Sequence, residues 1–472
     1  MFRYSITAFL TGAAVMVAEI AAARAIAPHF GTSIIVWTNV IGIILVALSL
    51  GYWIGGRLSE RRPDERMLGA IIALAGVFLI IPAFATQWIA GTLIADLFRL
   101  GSGFLVVLIG SFAAVLLLFA LPIAFLGMVS PFLVKLAYTH SRASEISNFK
   151  SSERSERGVG AIAGRLYAIS TIGSLVGTFL PTLVLLPALG TRRTMLLAAA
   201  VLLVLGIWLV ARRRAAAIVG ALVLVLVLVP DRPIPWFLGG DTIAQRDSRY
   251  QLLRVVDVTP PNLPLPQGEG GVDSPHRSEG EREGVRHDRL LVFNEGLGIQ
   301  SRAVFDSANI EGYFPIVAAL PALIARDPIR VLILGNAGGT IVHLMQRFFP
   351  DESLAITGVE LDPAVTAITA AHFPPPPQPY PVMHADSRVF LQGTEARYDI
   401  IVADAYTSQL TIPPHLATRE FFDLVRTRLT PSGVLVANVN APTRDSILLR
   451  IIEQTVAATF PHVVVGKAGE TW

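Results

Sequence analysis

Three carboxylates stand at the ends of short apolar runs in the last third of this chain. Glu360 ends Gly358-Val359-Glu360 before Leu361-Asp362, Asp386 lies in Ala385-Asp386-Ser387, and Asp404 follows Ile400-Ile401-Val402-Ala403 and precedes Ala405-Tyr406. Sheets of parallel strands bind ligands outside the carboxyl ends of their strands, so acids repeated at successive strand ends mark one crevice rather than scattered surface charge. Glu360 comes 25 residues after Gly335, a separation at which a carboxylate accepts both hydroxyls of a ribose. Asp386 is placed to meet an adenine edge. Acidic walls repel phosphate, so the chemistry indicated is that of a nucleoside. The chain has no cysteine, which removes disulfides, thiolate metal sites and a thiol nucleophile; no metal site is read from the remaining residues.

The elements that must position these acids follow from the pattern around them. Val331–Leu334, Ala355–Val359, Tyr398–Ala403 and Val434–Val439 read as strands, and Thr340–Phe348, Pro363–Ala371, Thr418–Leu429 and Asp445–Thr459 as helices. Alternation of this kind builds a parallel sheet covered by helices on both faces. The first strand runs into Gly335-Asn336-Ala337-Gly338-Gly339-Thr340. Gly335, Gly338 and Gly339 permit a tight turn and close approach of backbone N–H groups to a ligand. An ordinary strand-to-helix turn has the same composition, so the loop acquires meaning only beside the acids.

The rest of the chain has a different character. Hydrophobic residues make up 53% of the 472 and charged residues 15%, against about 25% charged in soluble domains. Apolar runs near 4–24, 33–56, 68–90, 103–127, 165–187, 194–211 and 215–230 are each near the about 20 helical residues that cross a hydrocarbon core. The first run is read as a spanning helix rather than a cleaved signal. Gly103–Tyr138, interrupted at Pro122 and Ser130-Pro131, is either one kinked helix or two segments, so the count is seven or eight. Basic clusters at Arg57, Arg61, Arg62 and Arg66, around Lys135–Arg165, and at Arg212–Arg214 face the cytoplasm under seven spans with the N-terminus inside. Seven spans put the C-terminal domain outside and eight put it inside. Glu19, five residues before Arg24, is either a contact for a substrate or ion, or a structural ion pair near the membrane face. Gly173, Ser174 and Gly177 suit close helix packing. The net charge of +3 gives no sign of a nucleic-acid partner.

Two polar stretches, Ser141–Gly160 and Pro260–Arg289, carry too little apolar surface to offset their ordering entropy and are expected to be disordered. The second interrupts Tyr250–Val258 and Leu290–Phe293, which would pair as a hairpin in a small β subdomain.

At VLILGNAGGT, GVELDPAV, HADSRVFL, YDIIVADAYTSQLTIPPHLATREFF and LTPSGVLVANV the chain resembles the spermidine synthase family, especially its bacterial branch fused to a membrane domain. DSRYQLLRVVD and RLLVFNEGLGIQS resemble that family's N-terminal β subdomain, and GRLYAISTIGSLVG its fused membrane segment. The resemblance implies aminopropyl transfer from decarboxylated S-adenosylmethionine to a polyamine. Glu360 would hold the ribose, Asp386 the adenine, and Gln251, Gln300 and Tyr313 would line the cleft. Asp404, with Tyr406 in the same wall, would accept the proton of the attacking amine, which is protonated at neutral pH. Four positions depart from the family. Gly338 replaces an Asp that holds the aminopropyl amino group, Thr407 replaces a second Asp, and Phe314-Pro315 replaces a polar residue and Glu after the cleft tyrosine.

The expected architecture is therefore a multi-pass α-helical membrane domain over 1–235, a small β subdomain over 240–310, and an α/β Rossmann-like domain of the methyltransferase type over 311–472. A methyltransferase-type sheet calls for one more strand after Val463-Val464-Val465, inserted antiparallel, and none follows. The expected function is a membrane-bound aminopropyltransferase-like enzyme with no tightly bound cofactor, taking decarboxylated S-adenosylmethionine or S-adenosylmethionine as co-substrate and an amine as acceptor. The alternatives are another S-adenosylmethionine-dependent transferase, or a transporter or sensor that binds a nucleoside or polyamine without turnover. The bilayer is the other partner, nucleic acid is not, and a homo-oligomer is compatible with the sequence. A charged sulfonium donor made inside cells puts the soluble domain in the cytoplasm of a bacterial inner-membrane protein, against the seven-span charge pattern.

Overall fold

The computed structural model describes residues 1–98, 106–147, 159–210, 240–258, 288–305 apart from 295 and 297 and excluding nothing else in that range, 312–350, 354–406, 412–441 and 443–468, with isolated positions at 219–221, 223, 225, 227–229, 234 and 310. The chain divides into two compact units: Met1–Arg232 with Asp247–Gln251, and Pro233–Arg246 with Leu252–Trp472.

The first unit is helical. It contains α1 (Phe2–Phe30), α2 (Ile34–Arg61), α3 (Glu65–Phe98), α4 (Ser111–Ser147, entered through a π-helical turn Val106–Gly110), α5 (Val159–Leu180, continued by Pro181–Leu185 and Leu186–Leu189) and α6 (Thr191–Val210). Among the described residues six helices are long and apolar enough to cross a membrane. The 28 residues of α2 span about 42 Å at 1.5 Å per residue, more than a hydrocarbon core requires. Leu45, Val46, Trp53, Trp88, Leu117 and Phe179 present apolar side chains outward, as lipid-facing surfaces do. The Gly103–Tyr138 question is answered in favour of one helix, because α4 continues through both Pro122 and Pro131. The expected span at 215–230 and the core of the Ser141–Gly160 stretch lie mostly outside the described residues; helix reaches Ser147 before the latter and resumes at Val159 after it.

Small residues bring the helices together. A Cβ on Gly173 or Gly177 of α5 would collide with the backbone of Phe9 or Ala13 in α1, and Ser174 Oγ donates to the Gly12 carbonyl at 3.1 Å. The small residues thus permit a close parallel contact in which backbone, not side chains, meets. At one end of the unit Glu65 accepts from Tyr4 at 2.7 Å and pairs with Arg3 at 3.0 Å, while Arg3 also stacks over Trp208. At the other end Asp247 accepts from Thr191 N at 2.9 Å, Arg192 donates to the Val229 carbonyl, and Arg24 donates to the Arg249 carbonyl.

The second unit opens with a sheet of β1 (Asp241–Asp247), β2 (Leu252–Val258), β3 (Asp288–Phe293) and β4 (Ile299–Arg302) in the order β1-β2-β3-β4. The hairpin pairing is antiparallel, from Leu253 opposite Phe293 to Val258 opposite Asp288. Strand β3 starts two residues earlier than the apolar pattern indicates, because Arg289 forms a two-pronged ion pair with Asp257 at 2.7 and 2.9 Å and extends the ladder. Most of the expected insertion, 259–287, lies outside the described residues.

After α7 (Tyr313–Ala318) comes a parallel sheet of β5 (Ile329–Leu334), β6 (Leu354–Glu360), β7 (Val382–His384), β8 (Tyr398–Ala403) and β9 (Leu429–Ala437), ordered β7-β6-β5-β8-β9. Its helices are α8 (Thr340–Phe348), α9 (Pro363–His372), α10 (Ser387–Gly393), α11 (Arg419–Arg428) and α12 (Ile447–Ala457). Strand alternation divides the core. Val331, Ile333, Ile400 and Val402 pack with α7 and α8, whereas Leu332, Leu334 and Ile401 pack with α10, α11 and α12. Helix α9 instead joins the small sheet, Val365 and Ile368 meeting Leu253, Val255, Leu291 and Phe293. The order places the switch point between β5 and β8, where Gly335 and Asp404 emerge. This is a Rossmann-like fold. Residues 461–467, where the extra strand would follow, have no regular structure.

Candidate active site

Asp404 leaves the end of β8 at the floor of the crevice. Its backbone N–H donates to the Leu334 carbonyl at 2.8 Å, and its own carbonyl lies where a Cβ on Gly335 would have to sit. Gly335 also has φ +90°, a conformation that glycine adopts at little cost, so this turn requires glycine on two counts. The Asp404 carboxylate receives two hydrogen bonds, from Tyr313 Oη to Oδ2 at 2.6 Å and from Asn438 Nδ2 to Oδ1 at 2.9 Å. The residue as a whole is only partly buried, but protein surrounds the carboxyl closely enough that burial pushes its pKa up to about 6, against the opposing pull of Tyr313 and Asn438. Burial also pushes the Tyr313 hydroxyl well above its ordinary value, and the Asp404 charge adds to the effect. Tyr406 lies behind this group. Its hydroxyl donates to the Asn438 carbonyl at 2.8 Å and accepts from Asn440 N at 2.9 Å.

Glu360, at the end of β6, is buried. One carboxylate oxygen accepts from Ala337 N at 2.9 Å and the other from Asp362 N at 3.0 Å. Burial raises its pKa while these backbone donors oppose the rise. The carboxylate therefore braces the glycine loop, whose Ala337 has φ +44°. Each oxygen keeps acceptor capacity for a sugar hydroxyl.

Asp386 caps α10. Its Oδ1 accepts from Arg388 N at 2.9 Å and Val389 N at 3.1 Å, and Oδ2 lies 2.8 Å from Nε2 of the half-exposed His415. Burial alone would raise its pKa, but the His415 hydrogen bond and the two backbone donors outweigh it and hold the carboxyl below its usual range.

The replaced family positions have local explanations. At Gly338 a Cβ would meet Ser301 Cβ at 2.8 Å and Phe373 Cε2 at 3.0 Å, while the Gly338 N–H donates to Ser301 Oγ at 2.7 Å. Ser301 and Phe373 occupy the space an Asp side chain would need. Phe314 is a core residue on the α7–α8 side of the sheet, and Pro315 sits in the first turn of α7. Thr407 lies outside the described residues.

Thus Gly335, Gly338, Gly339, Glu360, Asp386, Asp404, Tyr406 and Tyr313 all belong to the second unit, around the C-terminal ends of its parallel strands. Gln300 is half-buried in β4 next to Ser301. Gln251 belongs to the Asp247–Gln251 turn of the first unit, its carbonyl accepting from Ser248 N at 2.8 Å. Sequence reasoning did not single out Asn438, His415 or Ser301. Asn438 left a signal, a polar residue near the carboxyl end of the apolar run Val434–Val439.

A Rossmann-like sheet with an acid at or just after each of three strand ends defines the class. Residues 311–467 match the family described as the spermine/spermidine synthase domain. The chain is 36% identical over 151 residues to the probable polyamine aminopropyl transferase of Bifidobacterium longum (strain NCC 2705), covering 32% of this chain and 33% of that protein. It is 34% identical over 158 residues to the polyamine aminopropyltransferase of Vibrio vulnificus (strain CMCP6), covering 32% and 52%. The chain thus spans between a third and about half of the length of these curated relatives, both transferases by name. Among solved structures, the spermidine synthase from Thermotoga maritima aligns with 47% of this chain and 65% of its own, at 16% identity and a TM-score of 0.34.

Proposed function

We propose that this chain is a membrane-bound, aminopropyltransferase-like enzyme that uses decarboxylated S-adenosylmethionine and an amine acceptor. The observation that carries the reading is the Asp404 carboxylate, held by Tyr313 and Asn438 at the end of β8 beside the glycine loop. A carboxyl with a pKa of about 6 is largely ionised at neutral pH and close to the operating pH, where proton transfer is most effective. Asp404 accepts the proton of the acceptor ammonium. The freed amine attacks the methylene carbon beside the sulfonium, the new C–N bond forms as the C–S bond breaks, and methylthioadenosine leaves with the electron pair. Glu360 holds the ribose hydroxyls, Asp386 faces the adenine edge, and Gln300 and Tyr313 line the cleft. The apolar helices of the first unit fix the enzyme in the bilayer.

The Gly338 environment favours a second reading. Ser301 and Phe373 fill the place of the acid that would hold an aminopropyl ammonium, so intact S-adenosylmethionine is the competing donor. The purified full chain, given each donor with a panel of amines, separates the readings by product. Methylthioadenosine supports aminopropyl transfer, S-adenosylhomocysteine supports methyl transfer, and nucleoside binding with neither product supports a binding protein.

The donor is made inside cells, which supports a cytoplasmic soluble domain. The loop charges under a seven-span count carry the opposite indication. A compartment-specific reporter fused after Pro230 decides the side, and activity only from a periplasmic reporter overturns the cytoplasmic assignment.

A further inference from the structure

We infer that Asn438, locked from behind by Tyr406, is the positioning residue that fixes the Asp404 carboxylate for proton transfer. This rests on the reading of Asp404 as proton acceptor. Asp404 has two donors of different kinds. Tyr313 comes from α7 and offers a hydroxyl that rotates about its C–O bond. Asn438 comes from the end of β9 and offers a planar amide whose backbone is tied on both sides. Its N–H donates to the Ala403 carbonyl at 3.1 Å, and its carbonyl accepts the Tyr406 hydroxyl at 2.8 Å. The same hydroxyl accepts from Asn440 N at 2.9 Å. One phenol thereby joins the turn after β8 to the strand end of β9 on both sides of residue 439.

The amide must present Nδ2 to Asp404, since its oxygen would face another acceptor. With Oδ1 taken by Asn438 and Oδ2 by Tyr313, the carboxylate cannot turn about its Cβ–Cγ bond without losing a charge-assisted hydrogen bond. Its remaining acceptor capacity is held in one direction, toward the crevice. Tyr313 from α7 and Tyr406 from the same turn are the titratable groups that face it among the described residues. Both hydroxyls are held neutral well above physiological pH, so no neighbouring charge does what the two donors do.

An infrared titration of the Asp404 carboxyl in the full chain tests this without requiring turnover, with the Asp404→Asn spectrum subtracted. Asn438→Leu removes the donor at similar volume and should raise the midpoint by about one pH unit or more. Tyr406→Phe, which removes only the hydroxyl behind Asn438, should raise it less but in the same direction. In the product assay Asn438→Leu should lower kcat about tenfold or more while the KM for the nucleoside donor stays within about twofold, and Asn438→Gln should recover part of both effects. A midpoint unmoved in folded Asn438→Leu and Tyr406→Phe overturns the inference; if Asn438→Leu does not fold, Tyr406→Phe alone decides by the same criterion. A wild type that makes no methylthioadenosine overturns the proposed function, yet the titration still decides the role of Asn438.

Discussion

The Tyr313 hydroxyl donates to Asp404 Oδ2 at 2.6 Å across 91 positions of sequence, joining the first turn of α7 to the end of β8. A short bond from a neutral phenol stabilises the ionised carboxylate more than the protonated one. Tyr313→Phe removes it and leaves Asn438 as the one remaining donor seen to the carboxylate. The acid limb of kcat/KM, set in the wild type near the Asp404 pKa of about 6, should move to higher pH in Tyr313→Phe, with a loss of roughly tenfold or more at neutral pH. A pH profile that keeps its acid limb would show that Tyr313 does not act through Asp404.

Asp404→Asn should leave nucleoside affinity intact while turnover falls ~10²-fold or more. It also carries a stability signature. The folded pKa of about 6 lies above the ordinary 3.8, so the stability contributed by this group is fully present below pH 3.8 and is lost as pH rises through about 6. The wild type should therefore lose up to about 3 kcal/mol relative to Asp404→Asn between those limits. Asp386, held below its usual range, acts the other way at lower pH in both proteins. Thermal unfolding of the two full-length proteins across pH checks the difference between them. Parallel curves would place the Asp404 carboxyl in a far more solvated setting.

The sequence made the sheet legible because a buried strand must alternate sides. Val331 and Ile333 against Leu332 and Leu334 divide two cores, and Glu360 and Asp404 are polar residues that end such runs. The partners of those acids were not legible. Asn438, Ser301 and His415 come from segments 34, 37 and 29 residues away from their partners Asp404, Gly338 and Asp386, and only the folded chain brings them together. Nor does an Asp at a strand end announce that its carboxylate will cap the next helix, as Asp386 does. In the helical unit, Pro122 and Pro131 read equally well as a break or as kinks, because neighbouring helices and side chains can satisfy the freed backbone groups of a spanning helix.

The Gly338 position invites an attempt to restore the family's acid. Gly338→Asp should instead destabilise the domain by about 1–3 kcal/mol, because its Cβ would press on Ser301 Cβ and the Phe373 ring. Ser301→Gly/Gly338→Asp removes the nearer obstruction and should recover part of that stability. Thermal unfolding of both variants measures the effect. Equal stability of wild type and Gly338→Asp would mean that Ser301 and Phe373 yield readily and that the glycine has another cause.

Glu360 is the test of the nucleoside site itself. Its carboxylate already accepts from Ala337 N and Asp362 N, and a ribose would use the acceptor capacity that remains. Glu360→Ala removes both contributions, since hydrogen bonds to a charged group contribute roughly 1.5–3 kcal/mol each. The dissociation constant for methylthioadenosine should rise at least about tenfold, a change that corresponds to 1.4 kcal/mol. Because the Ala337 N–H also loses its partner in a turn at φ +44°, part of that loss would come from the loop rather than from the sugar. Glu360→Gln separates the two. Its amide oxygen can still accept from one backbone N–H, while its NH2 group cannot accept a hydroxyl proton. Affinity in Glu360→Gln should fall nearly as far as in Glu360→Ala, with thermal stability closer to wild type. Calorimetry on both full-length variants gives the answer, and an unchanged constant in a folded Glu360→Ala protein would take Glu360 out of the nucleoside site.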